Sequence, residues 1–234
     1  DGTLECWGSN SSDEGSPPQG VFKALAAGAS HTCGLGMNGI AECWGSDNQG
    51  QSSPPESVFT ALSAGWSHTC GLRPDGIAEC WGNDYGWGAV CGGPYSPPSV
   101  ALSSLSAGNQ FTCGLRASDG TVQCWGIYAQ HGPKPSDGCI NYPPSGPFEA
   151  LSSGGFYICG ITDQGGVECG PSGTWGTTQQ SSQSPYIAVA SGPYDTCALT
   201  DDGGVHCWVL ISAGAVGSGW CGGACDVPSD YSWK

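Results

Sequence analysis

The chain has 234 residues, among them 41 Gly, 17 Pro and 15 Cys, and only 11% of its residues are charged. Its 20 acidic residues outweigh 5 basic ones for a net charge of −15, which argues against nucleic acid or anionic lipid as a partner. No apolar run is long enough to span a membrane and no window has the 3, 4 and 7 spacing of an amphipathic helix, so short strands between Gly/Pro turns predict an all-β fold.

The first 21 residues read as part of a blade. Gly2-Thr3-Leu4-Glu5-Cys6-Trp7-Gly8 is the back half of a motif that recurs in full further on. Asn10-Ser11-Ser12 is an N-glycosylation sequon on an expected surface loop. Ser16-Pro17-Pro18 follows, and the Pro pair recurs at Pro54-Pro55, Pro97-Pro98 and Pro143-Pro144. Proline pairs do not sit in central strands, so these stretches connect sheets. They read either as plain rigid loops or as glycosylated hydroxyprolines, with Pro17, Pro18, Pro54, Pro55, Pro97 and Pro98 as acceptors.

Phe22–Gly45 and Phe59–Gly82 are the two strongest copies of one repeat; Leu102–Gly126, Phe148–Gly170 and Tyr186–Trp208 are looser ones. In Phe59–Gly82, Ser67–Leu72 and Ile77–Trp81 flank the turn Arg73-Pro74-Asp75-Gly76, which predicts a β-hairpin with Gly at the left-handed position. Cys70 and Cys80 are centred on that turn and fall opposite each other, where α-carbons lie about 4.5–5.5 Å apart and a disulfide fits. The same centring pairs Cys33 with Cys43, Cys113 with Cys124, Cys159 with Cys169 and Cys197 with Cys207. Zinc is the rival reading of paired cysteines, but it asks for closer spacings or for histidines at finger positions. Fifteen cysteines suit an oxidising compartment, so the chain is expected outside the cell. No secretion leader opens it, which implies a processed chain or part of a longer precursor.

Insertions follow the second and third copies. Tyr85–Tyr95 contains Cys91 and Ile127–Tyr142 contains Cys139, which pairs Cys91 with Cys139 across neighbouring blades. Residues 209–234 form a closing tail with Cys221 and Cys225. Cys6 has lost its hairpin partner; either the tail supplies a substitute or Cys6 bonds another chain or segment.

A repeat of about 40 residues built from short strands indicates a β-propeller, with residues 1–234 as one domain. The length suits six blades, or seven with a further blade outside the sequence. The motif A-G-x-S-H-T-C-G-L-x-x-D/N-G-I-A-E-C-W-G, followed at Gly50-Gln51 by G-Q, resembles the repeat of the regulator of chromosome condensation (RCC1). More narrowly it resembles the cysteine-bearing Crinkly-type repeats of secreted plant receptor ectodomains. That resemblance implies a propeller, usually of seven blades. The sequence departs from it where Gly170-Pro171 replaces Trp-Gly and where G-Q is lost from the other copies.

Within a propeller, Gly28, Gly65, Gly108, Gly154 and Gly192 are expected just ahead of the strands crowding the axis. Trp7, Trp44, Trp81, Trp125 and Trp208 are expected to pack between blades, with sugar stacking as the alternative. Trp87, Trp175, Trp220 and Trp233 break the period and read as exposed contacts. His31 and His68 share a position that also takes Phe111, Tyr157 and Asp195, which points to packing or hydrogen bonding. No nucleophile elbow, zinc-protease or phosphate-loop motif is present, and Asp201-Asp202-Gly203 reads as a turn. The expected function is therefore non-enzymatic and free of cofactor: a structural or adhesive module of a surface or wall glycoprotein, or a fibre subunit through self-assembly. The alternative is a receptor-like or lectin-like propeller that binds other extracellular proteins or glycans through Trp87, Tyr95, Tyr128 and Tyr142. Nucleotide exchange or protein inhibition, which propellers of this resemblance carry out, is a third reading; the cysteines argue against its nuclear setting.

Overall fold

The computed structural model describes residues 4–83, 96–126, 129–130, 140–141, 146–155, 157–170, 184–193 and 195–209. All its regular structure there is β. Five three-stranded antiparallel sheets follow one another along the chain. The first contains β1 (Phe22–Ala27), β2 (His31–Gly36) and β3 (Ala41–Gly45); the second β4 (Ala61–Ala64), β5 (His68–Leu72) and β6 (Ala78–Gly82). The third contains β7 (Leu102–Ala107), β8 (Phe111–Arg116) and β9 (Val122–Gly126). After the short parallel ladder β10 (Ala129–Gln130) and β11 (Ile140–Asn141), the fourth sheet is β12 (Phe148–Ser153), β13 (Ile158–Thr162) and β14 (Val167–Gly170). The fifth is β15 (Tyr186–Ser191), β16 (Asp195–Thr200) and β17 (Val205–Val209).

The turns explain the hairpins. Gly39, Gly76, Gly120, Gly165 and Gly203 have φ between 67° and 90°, the left-handed conformation that glycine adopts without a steric penalty. The residue before the glycine completes the turn: Asn38, Asp75, Asp119 and Asp202 each accept, through Oδ1, the N–H of the residue after it. In the fourth sheet Gln164 takes that place, and Thr162 Oγ1 accepts from Gly166 instead. The register puts the two cysteines of every hairpin directly opposite, with Cα atoms 4.0 Å apart, and all five pairs are disulfide-bonded.

The sheets stack as blades. The first strands β1, β4, β7, β12 and β15 lie side by side in sequence, so they line the axis and the third strands fan outward. Each repeat also opens on the previous turn: the N–H groups of Phe59, Leu102, Phe148 and Tyr186 donate to the carbonyls of Gly39, Gly76, Gly120 and Gly165 at 2.7–3.0 Å. The second residue of four first strands, Lys23, Ser103, Glu149 and Ile187, bulges out of register and is exposed.

Apolar burial lies in slabs between blades rather than in one central mass. Leu35 and Ala41 of the first sheet pack with Phe59 and Trp81 of the second. Cys70 and Leu72 pack with Leu102 and Trp125, Phe111 and Leu115 with Phe148 and Ile158, and Cys159 and Ile161 with Tyr186 and Ala198. Burying a phenylalanine such as Phe59 contributes roughly 1.5–3 kcal/mol.

Two expectations need correction. Trp7 is 91% exposed, not packed between blades, while Trp125 is 3% exposed and Trp44 and Trp81 are half-buried. The difference is that Trp81 and Trp125 have a preceding sheet to lie on, whereas Trp7 belongs to no described sheet. The five axial glycines follow the innermost strands rather than precede them, because the axis is lined by the first strand of each sheet and not by the cysteine-bearing second one.

Candidate functional site

Two ends of the blade array differ in chemistry. One end carries the β2–β3 type turns just described. The opposite rim carries the turns that join first and second strands, built on Gly28, Gly65, Gly108, Gly154 and Gly192. A Cβ on Gly28 would meet the Gly65 carbonyl; one on Gly65, the Gly108 carbonyl; one on Gly108, the Gly154 carbonyl; one on Gly154, the Gly192 carbonyl. The rim turns therefore overlap, each lying on the next blade, and only glycine allows this approach.

Behind the rim, each seam carries one bridging pair. His31 Nε2 lies 2.8 Å from Thr69 Oγ1 and His68 Nε2 lies 2.8 Å from Thr112 Oγ1. Thr69 donates its hydroxyl hydrogen to the Gln51 carbonyl, so it accepts from His31, which fixes the Nε2–H form and leaves Nδ1 bare and buried. At the third seam Phe111 meets Ile158, an apolar pair in the same place. At the fourth, Thr196 donates to the Tyr157 hydroxyl, whose single hydrogen is shared between the backbone carbonyls of Gly192 and Asp195. Burial, the main cause, holds His31 at about 4, against the pull of Asp47. Burial and the neighbouring His31 hold His68 at about 4 as well. Burial raises the Tyr157 hydroxyl above its ordinary range, so it remains a donor. The disulfide sulfurs face the same hydroxyls: Cys70 Sγ is 3.4 Å from Thr112 Oγ1 and Cys159 Sγ is 3.3 Å from Thr196 Oγ1. These groups are structural; each is spent on its neighbouring blade.

Serines join the innermost strands. Ser63, Ser106 and Ser152 accept, through Oγ, the backbone N–H of Ala107, Ser153 and Ser191 in the following sheet. Trp44 and Trp81 stack against Phe22 and Phe59, at centroid distances of 6.0 and 5.5 Å, and donate Nε1–H to the carbonyls of Glu14 and Gln51. A tryptophan held at both its face and its nitrogen is a packing residue.

Of the residues singled out from the sequence, Trp87, Tyr95, Tyr128, Tyr142, Cys91 and Cys139 lie outside the described residues. Asn10 is exposed in a turn, with its Oδ1 accepting from Gly15 N–H at 2.8 Å and its Nδ2 donating to Ser16 at 3.0 Å. Pro17, Pro18, Pro54, Pro55, Pro97 and Pro98 are half-buried. Cys6 is exposed with a free thiol. Asp202 accepts from Thr200 Oγ1 at 2.6 Å and closes its turn. Among the described residues no three His, Cys, Asp or Glu side chains gather as a metal site.

The rim holds a residue that the sequence reading passed over. Trp66, the residue after Gly65, is 56% exposed. The other copies carry Ala29, Asn109, Gly155 and Pro193 at that place, and one aromatic among small and polar residues was the available signal. The described basic residues, Lys23, Arg73 and Arg116, all lie at the opposite, hairpin-turn end.

This architecture defines a disulfide-stapled β-propeller of short antiparallel blades. Residues 59–88 and 102–128 match the model of the regulator of chromosome condensation (RCC1) repeat, and the resemblance read from the sequence holds. Curated protein sequences returned no match. Among solved structures, the chain is similar to the CRINKLY WD40 ectodomain of the Arabidopsis thaliana receptor kinase ACR4, with a TM-score of 0.68 and 28% identity over 89% of this chain and 73% of that one. It is similar to the entire ectodomain of the Physcomitrella patens receptor kinase CR4, with a TM-score of 0.64 and 25% identity over 83% of this chain and 53% of that one. Yeast RCC1 (Prp20), solved with Kap60, shares the fold with a TM-score of 0.61 at 15% identity, over 79% of this chain and 55% of that one. The chain thus spans about half the length of the moss ectodomain and of the yeast protein.

Proposed function

We propose that this chain is a non-catalytic interaction module working outside the cell, the adhesive or structural propeller of a surface or wall glycoprotein. The observation that carries the reading is the set of five hairpin disulfides, whose Cys33, Cys70, Cys113 and Cys159 sulfurs are sealed in the blade seams. A scaffold built around such bridges suits an oxidising compartment and is out of place in a reducing one. The likeness to two receptor-kinase ectodomains supports the same setting, and the yeast protein at 15% identity speaks for the fold alone.

Residues 1–21 and 209–234 would combine in a closing blade, completing six in one domain, and Cys91 would pair with Cys139. Asn10 and the Pro17-Pro18, Pro54-Pro55 and Pro97-Pro98 pairs would carry sugars. The recognition alternative, binding a protein or glycan ligand, is favoured by the exposed Trp66, with Trp87, Tyr95, Tyr128 and Tyr142 as further contact residues. Assembly into a fibre would appear as concentration-dependent growth in sedimentation.

Intact-mass measurement of the protein from its natural source, with and without reduction and deglycosylation, tests the reading. Paired hairpin cysteines and a loss of mass on deglycosylation are expected. Free thiols at Cys33, Cys43, Cys70 and Cys80 would remove the extracellular assignment.

A further inference from the structure

Two described tryptophans are strongly exposed: Trp7, which belongs to no described sheet, and Trp66, which lies on the rim of the second sheet. Trp81 and Trp125 pack into the slabs between blades, and Trp44 lies on Phe22. Trp66 leaves more than half its surface in water, yet its backbone is fixed: its N–H donates to the Gly108 carbonyl at 3.3 Å, so the residue is set on the seam between the second and third sheets. The next rim turn is fixed likewise, with Asn109 N–H donating to the Gly155 carbonyl at 3.1 Å. The chain leaves both sheets beside these turns. Asn83 N–H donates to the Ser67 carbonyl at 2.9 Å, and a Cβ on Gly126 would meet the Gln110 carbonyl. A solvent-facing indole on a hydrogen-bonded backbone therefore sits between the two points where the chain departs into its insertions.

The surroundings select the ligand. No described basic residue lies on this rim, while the rim turns and blade exits carry the carboxylates Asp47 and Asp195. With the net charge of −15, an anionic ligand is repelled. Half-buried Ser67, Asn109 and Gln110 offer hydroxyl and amide groups, which donate and accept without charge. An exposed aromatic face bordered by neutral donors and acceptors suits a pyranose ring, which has an apolar C–H face and hydroxyls at its edge.

We propose that Trp66, flanked by Asn109 and Gln110, is a binding platform for a neutral saccharide, with a sugar ring stacked on the indole. The site rests on the reading of the chain as an interaction module. The test is calorimetric titration of the full-length oxidised protein with cellohexaose, xylohexaose and mannohexaose, using hexagalacturonate and hexalysine as charged controls. At least one neutral oligosaccharide is expected to bind. Trp66→Ala should weaken it about tenfold or more, and Trp66→Phe should retain part of the affinity. Arg116→Ala, at the opposite end, should leave it unchanged. Circular dichroism and intact mass confirm that each variant keeps its fold and bridges. The proposal is overturned if no neutral oligosaccharide binds, if binding is indifferent to Trp66→Ala, or if hexalysine is the Trp66-dependent ligand. Binding that ignores Trp66, or capture of a protein ligand instead, would sink the platform and leave the interaction-module reading intact.

Discussion

His31 and His68 show how much a single neutral side chain can control. His31 is buried and His68 half-buried in their seams, each bonded to a threonine of the next blade and held at about 4 when folded against an ordinary 6.5. The unfolded chain therefore takes up protons near pH 6.5 while the folded chain refuses them until about pH 4. Stability is full above pH 6.5 and is lost as the pH falls toward 4, by about 1.4 kcal/mol per pH unit for each histidine in that window. The melting temperature should drop steeply between pH 6.5 and 4.5, above the range in which Asp75, Asp119 and Asp202, whose carboxyls are lowered by their turn hydrogen bonds, begin to protonate. Calorimetry across that interval checks it, and a flat profile would refute the neutral seam. At the same scale, Gly65→Ala places a methyl group against the Gly108 carbonyl and the His68 ring. It should cost upward of about 2 kcal/mol in urea unfolding, whereas Trp66→Ala next door should change stability by less than about 0.5 kcal/mol.

At the scale of the strand pair, hairpins and seams were unequally legible. Cysteines ten apart around Asp75-Gly76 located turn, register and bridge together, because every contact is local. The seams join residues roughly one repeat apart, and nothing near His68 announces Thr112. The copies hold the information only when read in columns: His31 with Thr69, His68 with Thr112, Phe111 with Ile158 and Tyr157 with Thr196. Where the first partner cannot donate, the second has lost its hydroxyl. This predicts a coupled swap. Thr112→Ile alone leaves His68 Nε2 without its hydroxyl partner and should cost about 1–3 kcal/mol. Adding His68→Phe rebuilds the apolar pair of the third seam and should recover at least half of that loss in a double-mutant cycle. Additive losses would show that the two positions do not communicate. Trp7 was misread for a related reason: its motif was intact, but the preceding sheet on which such a tryptophan lies was not part of the motif.

Across the whole molecule, stability is divided among seams rather than gathered in one core, and each hairpin carries its own clamp. Each bridge should contribute about 2–3 kcal/mol by restricting the unfolded chain. Because Cys33, Cys70, Cys113 and Cys159 are fully buried, mild reductant should act only on molecules that open transiently. Cys70→Ser with Cys80→Ser should lower the urea midpoint while leaving the far-ultraviolet spectrum unchanged, and thiol labelling of the parent under native conditions should spare all ten hairpin cysteines. Rapid native labelling at Cys70 would contradict the sealed seam.

The hand-over by which Phe59, Leu102, Phe148 and Tyr186 fasten to the preceding turn glycine has a consequence for how such a protein diversifies. The peptide between one outermost strand and the next fastening point varies in length from copy to copy, yet the fastening itself does not change. New sequence can thus be spliced in after Asn83 or Gly126 without retuning the frame, and both splice points open on the side where Trp66 waits. Selection, or an engineer grafting a foreign loop, has there a place to rewrite specificity while the chassis stays untouched.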